Sequence, residues 1–65
     1  MQNSQNLTDR ESEIMLMIKA GYSNKKISQK TSISLNTVKY HLKRIYKKLQ
    51  VQNRVEAINK FSALN

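Results

Sequence analysis

The chain has no cysteine, no proline and a single glycine in 65 residues, and from Ile14 to Val55 it has no acidic residue. Without cysteine there is neither a disulfide framework nor a thiolate metal site to help so short a chain, which sits near the size at which one core is only marginally sufficient. With glycine and proline almost absent, and Leu, Ile and three Met spread through helix-favouring sequence, the expected class is all-α; no strand signal competes. No apolar run approaches the ~18 to 20 residues that span a bilayer, and the opening MQNSQN lacks the cationic start and apolar centre of a signal peptide, so the cytoplasm is the expected location. Residues 1–6 are polar and are expected to form a disordered tail or a linker remnant, with one domain over residues 7–65.

What is present is positive charge, unevenly placed. Residues 14 to 55 carry ten Lys or Arg, and the whole chain has a net charge of +8. Five of those cations, Lys39, Lys43, Arg44, Lys47 and Lys48, fall between Thr37 and Gln50. On a helix, Lys39/Lys43, Lys43/Lys47 and Arg44/Lys48 are like-charge pairs at i, i+4, each unfavourable by roughly 0.2 to 0.5 kcal/mol. Folding alone gives no reason for them. A solubilising surface mixes signs, whereas a block of one sign suits nucleic acid, an anionic membrane or an acidic protein.

The spacing predicts four helices, over about 8–20, 24–31, 35–49 and 54–63. Thr8 and Glu11 form a capping box for the first, whose apolar face holds Ile14, Met17 and Ile18 with Met15 beside it, and Gly21 can take the left-handed conformation that ends it. Ser23 caps the second helix, where only Ile27 is strongly apolar and where Lys25 and Lys26 sit at the positive end of the dipole. That placement favours an approaching phosphate. After the tight connector TSIS, Ser34 caps the third helix; Leu35, Val38, Leu42, Ile45 and Leu49 recur on one stripe, with Tyr46 at its edge. Turning by about 100° per residue from Val38, the stripe covers roughly −20° to 60°, while Asn36, Tyr40, Lys43, Arg44 and Lys47 fall at roughly 140° to 240°. The cations thus form an outward ridge with Lys39 and Lys48 on its flanks. Asn53 and Glu56 start the fourth helix in a relative of the capping box, Ala57, Ile58, Phe61 and Leu64 make its inward stripe, and Val55 projects away between Asn59 and Ser62.

Two short helices joined by a tight turn, the second with a basic and hydrogen-bonding outer face, are the ingredients of a helix-turn-helix that enters the DNA major groove. From Leu7 to about Phe61 the run LTDRESEIMLMIKAGYSNKKISQKTSISLNTVKYHLKRIYKKLQVQNRVEAI, without a gap, resembles the LuxR-type (GerE-like) DNA-binding domain of bacterial transcription regulators. The matching positions include Leu7, Thr8, Arg10, Glu11, Gly21, Ser23, Asn24, Ile27, Ser34, Thr37, Val38, Lys39, His41, Lys48, Leu49, Asn53, Arg54 and Glu56. The resemblance implies a four-helix fold, sequence-specific binding to double-stranded DNA by a cytoplasmic, nucleoid-associated regulator, and a homodimer on DNA that can be monomeric when free, with RNA polymerase a candidate partner. Carried over by position, Lys39, Tyr40 and Lys43 face base edges. Ser23, Asn24, Lys25, Asn36, Thr37, His41, Arg44 and Lys47 lie near phosphates, and Val55, Asn59 and Ser62 form the dimer face. Departures are Lys26 in place of a frequent acid, Ser28 and Thr31 in place of apolar residues, and Gln50 in place of a common Gly. The last implies a less relaxed or differently formed end to the third helix.

Each role has a blander counterpart. Half to two-thirds of protein–DNA hydrogen bonds go to the backbone, so a given cation here is more readily a phosphate contact than a base reader. His41 has no second ligand and calls for no metal, and no cofactor is implied. No nucleophile, base and orienter set is present, which argues against an enzyme. The competing class is a basic amphipathic module for an anionic membrane or an acidic protein; matched apolar stripes on neighbouring helices assign the third helix's stripe to the core instead. RNA fits less well, since its A-form major groove is too narrow for side chains and no aromatic stacking platform is evident.

Overall fold

The structure, a computed structural model, describes residues 7–64. Residues 1–6, expected to be disordered, and the Leu64 side chain, expected to face inward, lie outside the described part. Four helices follow one another: α1 (Asp9–Lys19), α2 (Asn24–Thr31), α3 (Leu35–Leu49) and α4 (Arg54–Leu64), and no strand occurs among the described residues.

The helix starts obey the capping chemistry of the sequence. Thr8 Oγ1 accepts the Glu11 N–H at 3.1 Å while Glu11 Oε1 accepts the Thr8 N–H at 3.0 Å, satisfying two backbone donors that α1 cannot use internally. Ser23 Oγ accepts the Lys26 N–H at 3.1 Å, and Ser34 Oγ the Thr37 N–H at 3.0 Å. At α4, Asn53 Oδ1 accepts the Glu56 N–H at 2.9 Å, but the Glu56 carboxylate takes the N–H of Gln52, at 2.8 Å, so the box closes one residue before the cap.

The end of α1 keeps the expected glycine, and the end of α3 departs from it. After α1, Gly21 has φ 95°, its N–H donates to the Ile18 carbonyl, and the Tyr22 N–H donates to the Met17 carbonyl, the paired bonds of a Schellman motif. After α3 the same pair forms, Gln50 N–H to Lys47 at 3.2 Å and Val51 N–H to Tyr46 at 3.0 Å, with Gln50 held at φ 59°. The stop is therefore formed in the usual way, with a side chain where glycine is easiest. Ser32, in the turn between α2 and α3, is also left-handed at φ 59°. Thr31, which stands where an apolar residue is usual, is half-buried and donates its hydroxyl to the Ile27 carbonyl at 2.7 Å, the local solution for a hydroxyl inside a helix.

One core joins all four helices: Ile14, Met15 and Ile18 from α1, Ile27 from α2, Val38, Leu42, Ile45 and Leu49 from α3, and Ala57 and Phe61 from α4, with Leu7 ahead of α1. Two expectations need correcting. Met15 is fully buried and Met17 only half-buried, because the inward face of α1 is centred on Glu11, Ile14, Met15 and Ile18. Leu35 is 40% exposed, so the buried stripe of α3 begins at Val38; the first turn precedes the part of the helix that the core covers. Fully burying an aliphatic side chain is worth about 1.5 to 3 kcal/mol. With Val38, Leu42, Ile45 and Leu49 all buried, α3 is fixed in rotation about its own axis, and its opposite face has to look outward.

Candidate nucleic-acid interface

That outward face collects the residues singled out from the sequence. Asn36, Lys39, Tyr40, Lys43, Arg44 and Lys47 are all exposed, Tyr40 at 57%, and Thr37 and His41 are half-buried at the margin. Lys39 belongs to this exposed set rather than standing apart from it. Among the described residues, Lys39, Lys43 and Lys47 have no ion-pair partner, so no ion pair there offsets the repulsion of Lys39/Lys43 and Lys43/Lys47. The rings of Tyr40 and His41 lie 6.0 Å apart and tilted by 58°, and the Arg44 guanidinium sits 5.7 Å from the centre of the Tyr40 ring.

Lys48 does not flank the ridge as its position on the helical wheel suggested. It turns toward α1, where its Nζ donates to Glu11 Oε1 at 2.7 Å, and Arg44 Nε lies 3.8 Å from Glu11 Oε2. The third like-charge pair of α3 is thus relieved by an acid from another helix. Glu11 is only 2% exposed. Burial by itself pushes its carboxyl up. The Lys48 hydrogen bond, the Thr8 N–H and the charges of Lys48 and Arg44 outweigh that and hold it below the ordinary glutamate value of 4.5.

The start of α2 faces solvent with Ser23 and Lys25 exposed and Asn24 half-buried, and no acid occupies its first turn. Among the described residues Asn24 Oδ1 is buried without a hydrogen-bond partner, and Lys26 Nζ lies 6.0 Å from the centre of the Tyr22 ring. On α4, Val55 is 67% exposed and Asn59 and Ser62 are exposed with it, one and two turns along the same face. Arg54 donates from Nη2 to the Tyr22 carbonyl, tying the start of α4 to the loop between α1 and α2.

Among the described residues no three His, Cys, Asp or Glu side chains gather to hold a metal, and no helix is long and apolar enough to cross a membrane. An open depression of about 350 Å³ is lined by Glu13, Leu16, Met17, Ala20, Tyr22 and Lys30, with no residue of α3.

A family model described as "Bacterial regulatory proteins, luxR family" matches residues 5–61. The chain belongs to the LuxR family of bacterial regulatory proteins. Its four helices are a LuxR-family DNA-binding domain, in agreement with the expectation drawn from the run Leu7 to Phe61. Among curated relatives, the response regulator protein VraR of Staphylococcus aureus (strain NCTC 8325 / PS 47) is 48% identical over 52 residues, covering 80% of this chain and 25% of the relative. VraR of Staphylococcus epidermidis (strain ATCC 35984 / DSM 28319 / BCRC 17069 / CCUG 31568 / BM 3577 / RP62A) matches to the same extent. The chain therefore spans about a quarter of the length of these relatives. The crystal structure of the response regulator ChrA, of a heme-sensing two-component system, superposes with a TM-score of 0.88 at 42% identity, over 95% of this chain and 31% of that one.

Two contacts escaped the sequence reading. The capping box and the helix dipole account for Glu11 only in part, since it also lies three, four and seven residues before Ile14, Met15 and Ile18, on the buried face, where a carboxylate requires a cation. Arg54 sits at the positive end of the α4 dipole, which is unfavourable unless a carbonyl such as that of Tyr22 receives it.

Proposed function

We propose that this LuxR-family domain binds double-stranded DNA with α3 in the major groove, as the DNA-reading part of a bacterial transcription regulator. Lys39, Tyr40 and Lys43 face base edges; Lys and Arg suit guanine, and the Tyr40 ring suits a thymine methyl. Ser23, Asn24, Lys25, Asn36, Thr37, His41, Arg44 and Lys47 line the two phosphate strands on either side. Val55, Asn59 and Ser62 meet their counterparts of a second copy, placing two α3 helices on half-sites about one helical turn apart. The patch around Val55 is small, so pairing is expected on DNA and not in the free domain. A contact with RNA polymerase belongs to the same reading, and no cofactor takes part.

The observation that carries this reading is the row of exposed cations on α3 directly opposite the buried side chains Val38, Leu42, Ile45 and Leu49, with Lys39, Lys43 and Lys47 unpaired within the described residues. A duplex carries one negative charge per ~1.7 Å of axis and turns that repulsion into attraction and counterion release. Fluorescence-anisotropy titration of a mixed-sequence duplex, the same strand unpaired, an RNA duplex and anionic vesicles tests it. Strongest binding to the DNA duplex is the expected result; tighter binding to vesicles would favour the membrane alternative.

A further inference from the structure

The cations of α3 are not equivalent. Lys39, Lys43 and Lys47 are unpaired among the described residues, whereas Lys48 and Arg44 share one carboxylate delivered from α1. Glu11 Oε1 accepts from Lys48 Nζ at 2.7 Å and from the Thr8 N–H at 3.0 Å, Glu11 Oε2 lies 3.8 Å from Arg44 Nε, and the Glu11 side chain is 3% exposed. Lys48 is itself drawn in, its side chain only 26% exposed, while Arg44 keeps half its surface in solvent and reaches across to the Tyr40 hydroxyl, 3.4 Å from Nη1. A cation held by an internal carboxylate releases no counterion from DNA unless that bond is broken, and a buried carboxylate left behind is costly.

We propose that Glu11 is a positioning residue for DNA recognition: it withholds Lys48, and part of Arg44, from the phosphates, and so sets how many phosphates the domain neutralises. The inference rests on the DNA-binding reading above. Its consequence is a limit on sequence-independent affinity. Phosphate neutralisation supplies essentially all of non-specific binding, so a domain with Lys48 tethered and Arg44 partly held leaves a larger share of its affinity to base contacts.

The test is the salt dependence of affinity for a mixed-sequence 20-base-pair duplex, read by anisotropy between roughly 50 and 200 mM salt. Each newly neutralised phosphate steepens log K against log [salt] by about 0.9, which enlarges the affinity ratio between those two salt concentrations by about three- to fourfold. Glu11→Gln keeps a capping-box acceptor but loses the charge, and is expected to steepen the slope by about one such unit. Glu13→Gln, which removes an exposed acid paired with Arg10 at 3.5 Å on the same helix, is expected to leave the slope unchanged. Lys48→Gln alone should leave it unchanged as well, and adding Lys48→Gln to Glu11→Gln should undo most of the steepening.

An unchanged slope in folded Glu11→Gln overturns the proposal, as does equal steepening by Glu13→Gln, or a flattening by a full unit in Lys48→Gln. Circular dichroism confirms that each variant is folded; should Glu11→Gln fail to fold, Lys48→Gln decides between an unchanged slope, in favour, and a flattened one, against. Failure of the underlying DNA reading is distinguishable, because then the unaltered protein itself shows no duplex affinity at the lowest salt.

Discussion

Replacing Gln50 by glycine should make the domain more stable. Gln50 closes α3 at φ 59°, ψ 46°, with its N–H donating to the Lys47 carbonyl, and its side chain is exposed, so no packing is lost by removing it. A non-glycine residue in the left-handed region costs roughly 1 to 2 kcal/mol, which glycine avoids. Against that, glycine widens the unfolded ensemble by about 0.4 to 1 kcal/mol. The difference lies between about 0 and 1.6 kcal/mol in favour of glycine, with a midpoint of about 0.8 kcal/mol, or roughly 3 to 6 °C in Tm for a domain of this size. Thermal unfolding followed by circular dichroism reads it directly, with duplex affinity at fixed temperature as the companion measurement, since the exposed residues Lys39, Tyr40 and Lys43 of α3 are untouched. A lowered Tm would refute the reasoning, because it would mean that the Gln50 side chain stabilises the α3–α4 connection by more than its backbone strain costs.

Three further outcomes follow from the same geometry. Lys43→Ala should lower specific DNA affinity by ~1 to 3 kcal/mol and relax selectivity at one base position, whereas a uniform loss over all sequences would assign Lys43 to phosphate. Val55→Asp should weaken cooperative occupation of paired half-sites in a mobility-shift assay while leaving single half-site binding nearly intact; unchanged cooperativity would remove Val55 from the dimer face. Acid should unfold the domain in part through Glu11. Its carboxyl is held below the ordinary 4.5 in the folded state, so its contribution is fully present above that value and is lost as pH falls through the lower folded value. Denaturant unfolding at pH 6 and at decreasing pH should show this loss, and Glu11→Gln should flatten the dependence below pH ~5.

The rotation of α3, and with it the exposed basic face, was legible because a 3, 4, 3, 4 spacing of apolar residues leaves a helix one way to pack. The starts of the four helices were legible where side-chain oxygens cap backbone donors, at Thr8, Ser23, Ser34 and Asn53. The exposure of Leu35 was not, because helical periodicity carries no information about how far along the helix the neighbouring layer extends. Nor was the turn of Lys48 toward α1: a helical wheel gives the direction of a Cα–Cβ bond, while a long flexible side chain goes where a buried carboxylate draws it, and that carboxylate lies 37 residues earlier in the chain. Gln50 shows the opposite case. Its departure from glycine implies a less relaxed or differently formed end to α3, and the first of these is found: the hydrogen bonds of Gln50 and Val51 N–H form the usual stop with one non-glycine residue in the left-handed region.

Selection of duplexes from a random-sequence pool by this chain, followed by sequencing of the bound fraction, tests the central claim most directly. If the exposed face of α3 reads the major groove, the recovered duplexes will share a short motif, repeated in related half-sites about one helical turn apart. Recovery of an unenriched pool, with no B-form sequence preferred even in dilute buffer, would contradict the account.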